Sequence, residues 1–139
     1  MTTIVTDSGF APDDFDGVFA ARDALPATGD AAAVDLPSDT DPSELADVAA
    51  RAAAIRIDFP SFADGRGFTL AQRLRAAGFA GRLRARGHVL ADQYAMARRA
   101  GFDEVEIDDA LAARQPENQW LARADWRAHD HQARLRRGA

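Results

Sequence analysis

The residue types best suited to chemistry are gathered in one run, Asp58-Phe59-Pro60-Ser61-Phe62-Ala63-Asp64-Gly65-Arg66-Gly67. Asp58 ends an alternating stretch, Phe59-Pro60 forces an extended exit, and Asp64-Gly65-Arg66-Gly67 reads as a tight turn before a helix beginning near Thr69. Free N–H groups at a helix start attract anions, and a neighbouring guanidinium adds charge-assisted hydrogen bonds. Asp64, Gly65, Arg66 and Gly67 therefore form a candidate anion-binding loop for sulfite, sulfate, phosphate or a carboxylate. A structural turn fits the same residues, with Asp64 capping the helix and Arg66 paired to Asp58.

A second cluster follows. Arg84 and Arg86 alternate onto the face expected for Asp58, and Gly87-His88 opens the next loop ahead of Asp92-Gln93. If strands adjacent in sequence are adjacent in the sheet, Asp58, Arg84 and Glu106 stand side by side and are the candidate catalytic residues. Two carboxylates around a guanidinium suit proton transfer, and equally a charge-balanced structural face. Histidine is the side chain most suited to acid–base work near neutral pH, but His88 has no visible partner. In His129-Asp130-His131 the two rings fall on different sides of a helix, so no metal site is expected. Trp120 and Trp126 read as core or interface anchors. No phosphate-cradling loop, dinucleotide glycine fingerprint, nucleophile elbow or paired metal-binding histidine motif is present, and no cofactor is expected.

The elements that must position these groups alternate in type. Residues 2–6 suit a short strand, and 7–16 an acidic, turn-rich, loosely held stretch. Residues 1–30 are expected to form a poorly defined acidic segment ahead of an α/β domain, 31–139, that includes a helical tail. Strands are expected over 31–36, 54–59, 82–87 and 104–107, and helices over 42–53, 69–77, 90–100 and much of 116–135. Asp41 offers a cap and Pro42 suits a first helical position. Ala77-Gly78-Phe79 and Ala100-Gly101-Phe102 each end a helix with a glycine suited to the left-handed conformation. Crossovers of this kind make strands parallel. Arg56 and Asp58, Arg82, Arg84 and Arg86, and Glu104 and Glu106 occupy alternate strand positions, so one face carries opposite charges and helices cover the other. The expected architecture is α/β, with about four mainly parallel strands in a curved, half-βα-barrel-like sheet; a three-layer sandwich is the alternative. An uncovered inner face would call for a second copy or the tail, hence a homo-oligomer.

Length and composition bound the class. At 139 residues the chain suits one domain. It has no cysteine, which excludes disulfides and thiol chemistry and fits a reducing, cytoplasmic setting. No signal-like or membrane-crossing apolar run is seen, so neither export nor membrane partnership is expected. A net charge of −5 argues against nucleic acid. That charge is uneven: Arg22 is the only basic residue among the first 50, whereas Arg114, Arg123, Arg127, Arg134, Arg136 and Arg137 crowd the end.

The run from Ile57 through Thr69, with Leu74-Arg75, Gly78-Phe79, Gly81-Arg82-Leu83-Arg84-Ala85, Val89-Leu90-Ala91-Asp92-Gln93 and Arg99-Ala100-Gly101-Phe102-Asp103, resembles a bacterial family catalogued as domain of unknown function 934. The resemblance covers 57–103 and rests on the pattern Asp-Phe-Pro-x-Phe-x-Asp-Gly-Arg-Gly. It implies signature residues at Asp58, Phe59, Pro60, Asp64, Gly65, Arg66, Gly67, Arg84, Asp92 and Gln93, and departs at His88, where the family pattern has Asp. Members are described as oxidoreductases or as accessory proteins of sulfite reduction, because their genes neighbour those of sulfate assimilation. The implied role is an accessory protein binding a small anion or sulfated nucleotide, or docking to sulfite reductase or another sulfate-assimilation enzyme. A lyase or isomerase acting on an anionic metabolite and a structural dimer or adaptor are the alternatives. An oxidoreductase in its own right ranks below these for want of a cofactor motif or thiol.

Overall fold

A computed structural model describes residues 2–15, 17–21 and 32–129. Its strands are β1 (Thr2–Thr6), β2 (Gly9–Ala11), β3 (Ala20–Ala21), β4 (Ala32–Leu36), β5 (Ala52–Phe59), β6 (Arg82–Gly87) and β7 (Glu104–Asp108). The helices are α1 (Leu45–Arg51), α2 (Arg66–Ala76), α3 (Tyr94–Ala100), α4 (Asp109–Arg114) and α5 (Glu117–Leu121). All strands join one seven-stranded sheet in the order β2-β1-β7-β6-β5-β4-β3. From β3 to β7 neighbours are parallel and sequential, while β1 lies antiparallel to both β7 and β2.

The number of strands therefore exceeds the expected four or so. The additional ones, β2 and β3, are too short for periodicity to reveal them, and β1 joins the same sheet as the rest. Residues 2–21 thus contribute three strands to the sheet of the α/β domain.

Alternation along the strands divides the sheet into two faces. Val34, Leu36, Ile55, Ile57, Phe59, Leu83, Ala85, Val105 and Ile107 form one core with Leu45 and Val48 of α1, Phe68, Leu70 and Leu74 of α2, and Tyr94 and Ala97 of α3. A sequential strand order with right-handed crossovers puts connecting helices on a single side, which accounts for this shared core. The opposite face carries Asp35, Arg56, Arg82, Arg84, Glu104 and Glu106, joined by ion pairs.

That charged face is covered by the chain's own N-terminal segment. Arg84 binds Asp13, Arg82 binds Asp14, and the rings of Phe15 and Phe19 lie against the guanidinium groups of Arg82, Arg84 and Arg56. Asp13, Asp14 and Phe15, in the stretch expected to be loosely held, are thus tied down over the sheet face that the expected half-barrel leaves open. Asp7 is held as well, accepting hydrogen bonds from Tyr94 at 2.6 Å and from Arg98 at 3.2 Å.

Helix boundaries follow their caps. Asp41 accepts from the Ser43 N–H with Pro42 at the first position, opening a short 3-10 turn before α1. Gly78 and Gly101 end α2 and α3 with φ of 99° and 119°, and Phe79 and Phe102 donate back to Leu74 and Ala97. Of the helix expected over much of 116–135, the described part, up to His129, is instead α5 and a 3-10 turn at Trp126–His129, preceded by an unforeseen α4. Pro116 keeps Gln115 out of helical geometry and separates α4 from α5. Trp120 is core, 1 % exposed, with its indole N–H donating to the Gln115 carbonyl. Asp130 and His131 of the His-Asp-His run lie outside the described residues. No helix among the described residues is long and apolar enough to cross a membrane.

Candidate functional site

The loop from Ser61 to Gly65 leads directly into α2, which starts at Arg66 rather than near Thr69. Neither Gly65 nor Gly67 has a positive φ, so the stretch is not the glycine turn it resembles. Gly67 is already helical, and its lack of a side chain serves packing: a Cβ there would sit 2.5 Å from the Phe59 ring.

In this loop an internal carboxylate occupies the role considered for an external anion. Asp64 accepts from the Arg66 backbone N–H at 3.1 Å, from Arg66 Nε and Nη2 at 3.0 and 2.8 Å, and from the Ser38 hydroxyl at 2.8 Å. The paired Arg66 guanidinium, then that backbone N–H and Ser38, hold the Asp64 carboxyl well below its usual range. Arg66 is paired to Asp64 instead of Asp58, and Gly65, at the cap position of α2, receives no side-chain cap bond.

Register corrects the expected side-by-side row. Arg84 stands next to Arg56 and Glu104, whereas Asp58 pairs across to Arg86 and Arg86 to Glu106. Arg84 is fully buried, donating to Glu104 at 2.6 Å, Glu106 at 2.7 Å and Asp13 at 2.8 Å. Burial alone would lower its pKa, but these carboxylates raise it above the ordinary arginine value. Glu106 also accepts from Arg56 at 3.1 Å. Arg84 and Glu106 are thus bound into an internal ionic cluster, although Glu106 also reaches the wall of a neighbouring cleft.

That cleft, of about 560 Å³, lies at the carboxyl ends of β5, β6 and β7, where parallel sheets commonly bind ligands. Asp58, Arg86, His88, Glu106 and Arg114 line it, with Pro60, Phe62 and Leu111 as apolar wall. Asp108 also lines it but is occupied in capping α4 through the Leu111 N–H. Among the described residues Asp58, Arg86 and Arg114 have no side-chain partner; most other described arginines are engaged by carboxylates or carbonyls.

His88 is oriented by the strand beside it. The Phe59 carbonyl accepts from the His88 backbone N–H at 2.9 Å and lies 3.2 Å from Nδ1, and Phe62 packs edge-on against the ring at 5.0 Å. A carbonyl oxygen only accepts, so Nδ1 carries the hydrogen and Nε2 of the neutral ring is left as an acceptor. Gly87, at φ 109°, makes the turn that brings His88 back over Phe59; a side chain on it would approach the Phe59 carbonyl at 2.8 Å.

Other signature positions make contacts within the chain. Phe59 packs between Phe68 and Phe102, with ring centroids 5.0 and 5.8 Å away. Gln93 accepts from the Leu90 N–H and donates to the Phe62 carbonyl, clasping the loop to the start of α3. Asp92 is exposed and pairs with Arg123. Sequence reasoning placed Arg86 on the correct face without selecting it, though its position at the end of β6 was the available signal. Arg114 had no such signal, because α4 was not foreseen.

Fold and site together define an α/β protein with a polar cleft at the carboxyl edge of a mainly parallel sheet. The chain belongs to the family described as "Bacterial protein of unknown function (DUF934)", whose family model matches residues 33–136. The match extends well beyond 57–103 and takes in β4, α1 and most of the arginine-rich end. Neither the curated proteins nor the solved structures yield a match.

Proposed function

We propose that this chain is an accessory protein of assimilatory sulfate and sulfite reduction that holds a small oxyanion or a sulfated nucleotide in the cleft at the carboxyl edge of the sheet. The observation that carries the binding reading is the pair Arg86 and Arg114, both facing the cleft and both without a carboxylate partner among the described residues. Guanidinium groups are suited to sulfur and phosphorus oxyanions. The sulfur setting rests on the family resemblance. We read the sheet as half a βα barrel, whose carboxyl rim is the customary place for such a site.

Thermal-shift titration with sulfate, sulfite and adenylylsulfate tests the proposal. Stabilisation that is lost in Arg86→Ala and Arg114→Ala supports it; shifts of equal size in both variants overturn it. Docking to a reductase is tested separately by co-purification of tagged protein with sulfite reductase.

A lyase or isomerase is the second reading, favoured by the Asp58 carboxylate, unpaired among the described residues, and by Nε2 of His88 in the same cleft. For an enzyme, Asp58→Asn abolishes turnover of an anionic substrate; for a binding protein, no turnover exists to lose.

A further inference from the structure

The acceptors in the cleft constrain its ligand as strongly as the cations do. Arg86 and Arg114 supply only hydrogen-bond donors, whereas the Asp58 carboxylate supplies only acceptors. Nε2 of His88 is a further acceptor, since the Phe59 carbonyl takes the Nδ1 hydrogen. A bare tetrahedral oxyanion has no hydrogen to give Asp58 when fully ionised, and the carboxylate repels it. Such an ion would also fill only a small part of about 560 Å³, a volume suited to a whole small metabolite. Glu106 adds acidic surface at the wall but is already bound to Arg84 and Arg56, and Asp108 caps α4. Among the described side chains, Asp58 and His88, together with the Thr2 hydroxyl, are thus the groups left to receive hydroxyl hydrogens.

We infer that the ligand is a hydroxylated oxyanion, a phosphate or sulfate ester of a polyol, with its anionic end on Arg86 and Arg114 and its hydroxyl groups on Asp58 and His88. The inference rests on the cleft being the oxyanion site, and it replaces a free inorganic ion with an esterified sugar as the species held. A free sugar phosphate and the ribose-phosphate part of a nucleotide share this chemistry.

Calorimetric titration with sulfate, which is fully ionised at neutral pH, ribose 5-phosphate and adenosine 5′-monophosphate tests it on the whole chain and on Asp58→Asn, Asp58→Ala and Arg86→Ala. Asp58 has no side-chain partner among the described residues, so circular dichroism of both Asp58 variants should match the parent. The expected result is a crossing. Asp58→Asn and Asp58→Ala weaken ribose 5-phosphate by roughly tenfold or more through loss of a charge-assisted hydrogen bond, and bind sulfate as well as or better than the parent. Tighter binding of the nucleotide than of ribose 5-phosphate assigns the site to nucleotides; the reverse assigns it to free sugar phosphates, and either supports the polyol class. Equal changes for sulfate and ribose 5-phosphate in the Asp58 variants, with both ligands lost in Arg86→Ala, overturn this inference and leave the oxyanion site standing. No binding of any probe to the parent chain overturns both.

Discussion

At the scale of single residues, the charged groups of this protein fall into two populations that the sequence does not separate. Arg84 and Arg86 are two positions apart on one strand and point to the same face, yet one is wholly buried among carboxylates and the other is open to the cleft. Removing Arg84 leaves Glu104 and Glu106 buried with only Arg82 and Arg56 to offset them. Arg84→Ala should therefore cost roughly 3–5 kcal/mol of folding stability, measured by urea denaturation. Arg86→Ala, by contrast, should leave stability within about 0.5 kcal/mol of the parent. Alternation made the shared face legible. It did not distinguish the two environments, which depend on a segment some seventy positions earlier in the chain lying over the first arginine only.

At the scale of elements, the strands with clear alternation were legible almost to the residue, as 82–87 shows against β6. Helix ends were less so. The start of α2 was placed late because Gly65 and Gly67 look like turn residues, when the latter instead makes room for an aromatic ring from β5. Gly67→Ala tests this. Helix propensity alone favours alanine by about 1 kcal/mol, but the contact with Phe59 forces that ring to shift, and a net loss on the order of 1–3 kcal/mol is expected in thermal or urea unfolding. A stabilised variant would show that the ring yields freely. The loop before α2 illustrates the other limit of sequence reasoning: a guanidinium at a helix start signals affinity for an anion, but not that Asp64 two residues earlier satisfies it.

At the scale of the whole molecule, the N-terminal segment is held by charge as well as by aromatic packing, so its attachment depends on pH. The Arg84 guanidinium holds the Asp13 carboxyl down to about 2, from an ordinary value of 3.8, and Asp14 is lowered in the same sense by Arg82. An acid depressed in the folded state stabilises it above its ordinary pKa and loses that effect as pH falls through the depressed value. Attachment should thus be complete above about pH 4 and weaken progressively toward pH 2. Nuclear magnetic resonance of the Phe15 and Phe19 rings provides the check: their signals should drift toward free-peptide positions over that interval, before the Ile55 and Leu83 methyl groups change. Simultaneous change of all four would show that the segment releases only on global unfolding. The margins of the sheet bear on a different behaviour. Its two outermost strands, β2 and β3, span only Gly9–Ala11 and Ala20–Ala21, so among the described residues neither border offers an extended run of unpaired amides and carbonyls to a foreign strand. A chain this rich in parallel pairing should accordingly resist lateral growth into fibrils, and lengthening either border strand with alternating valine and threonine is the change most apt to remove that protection.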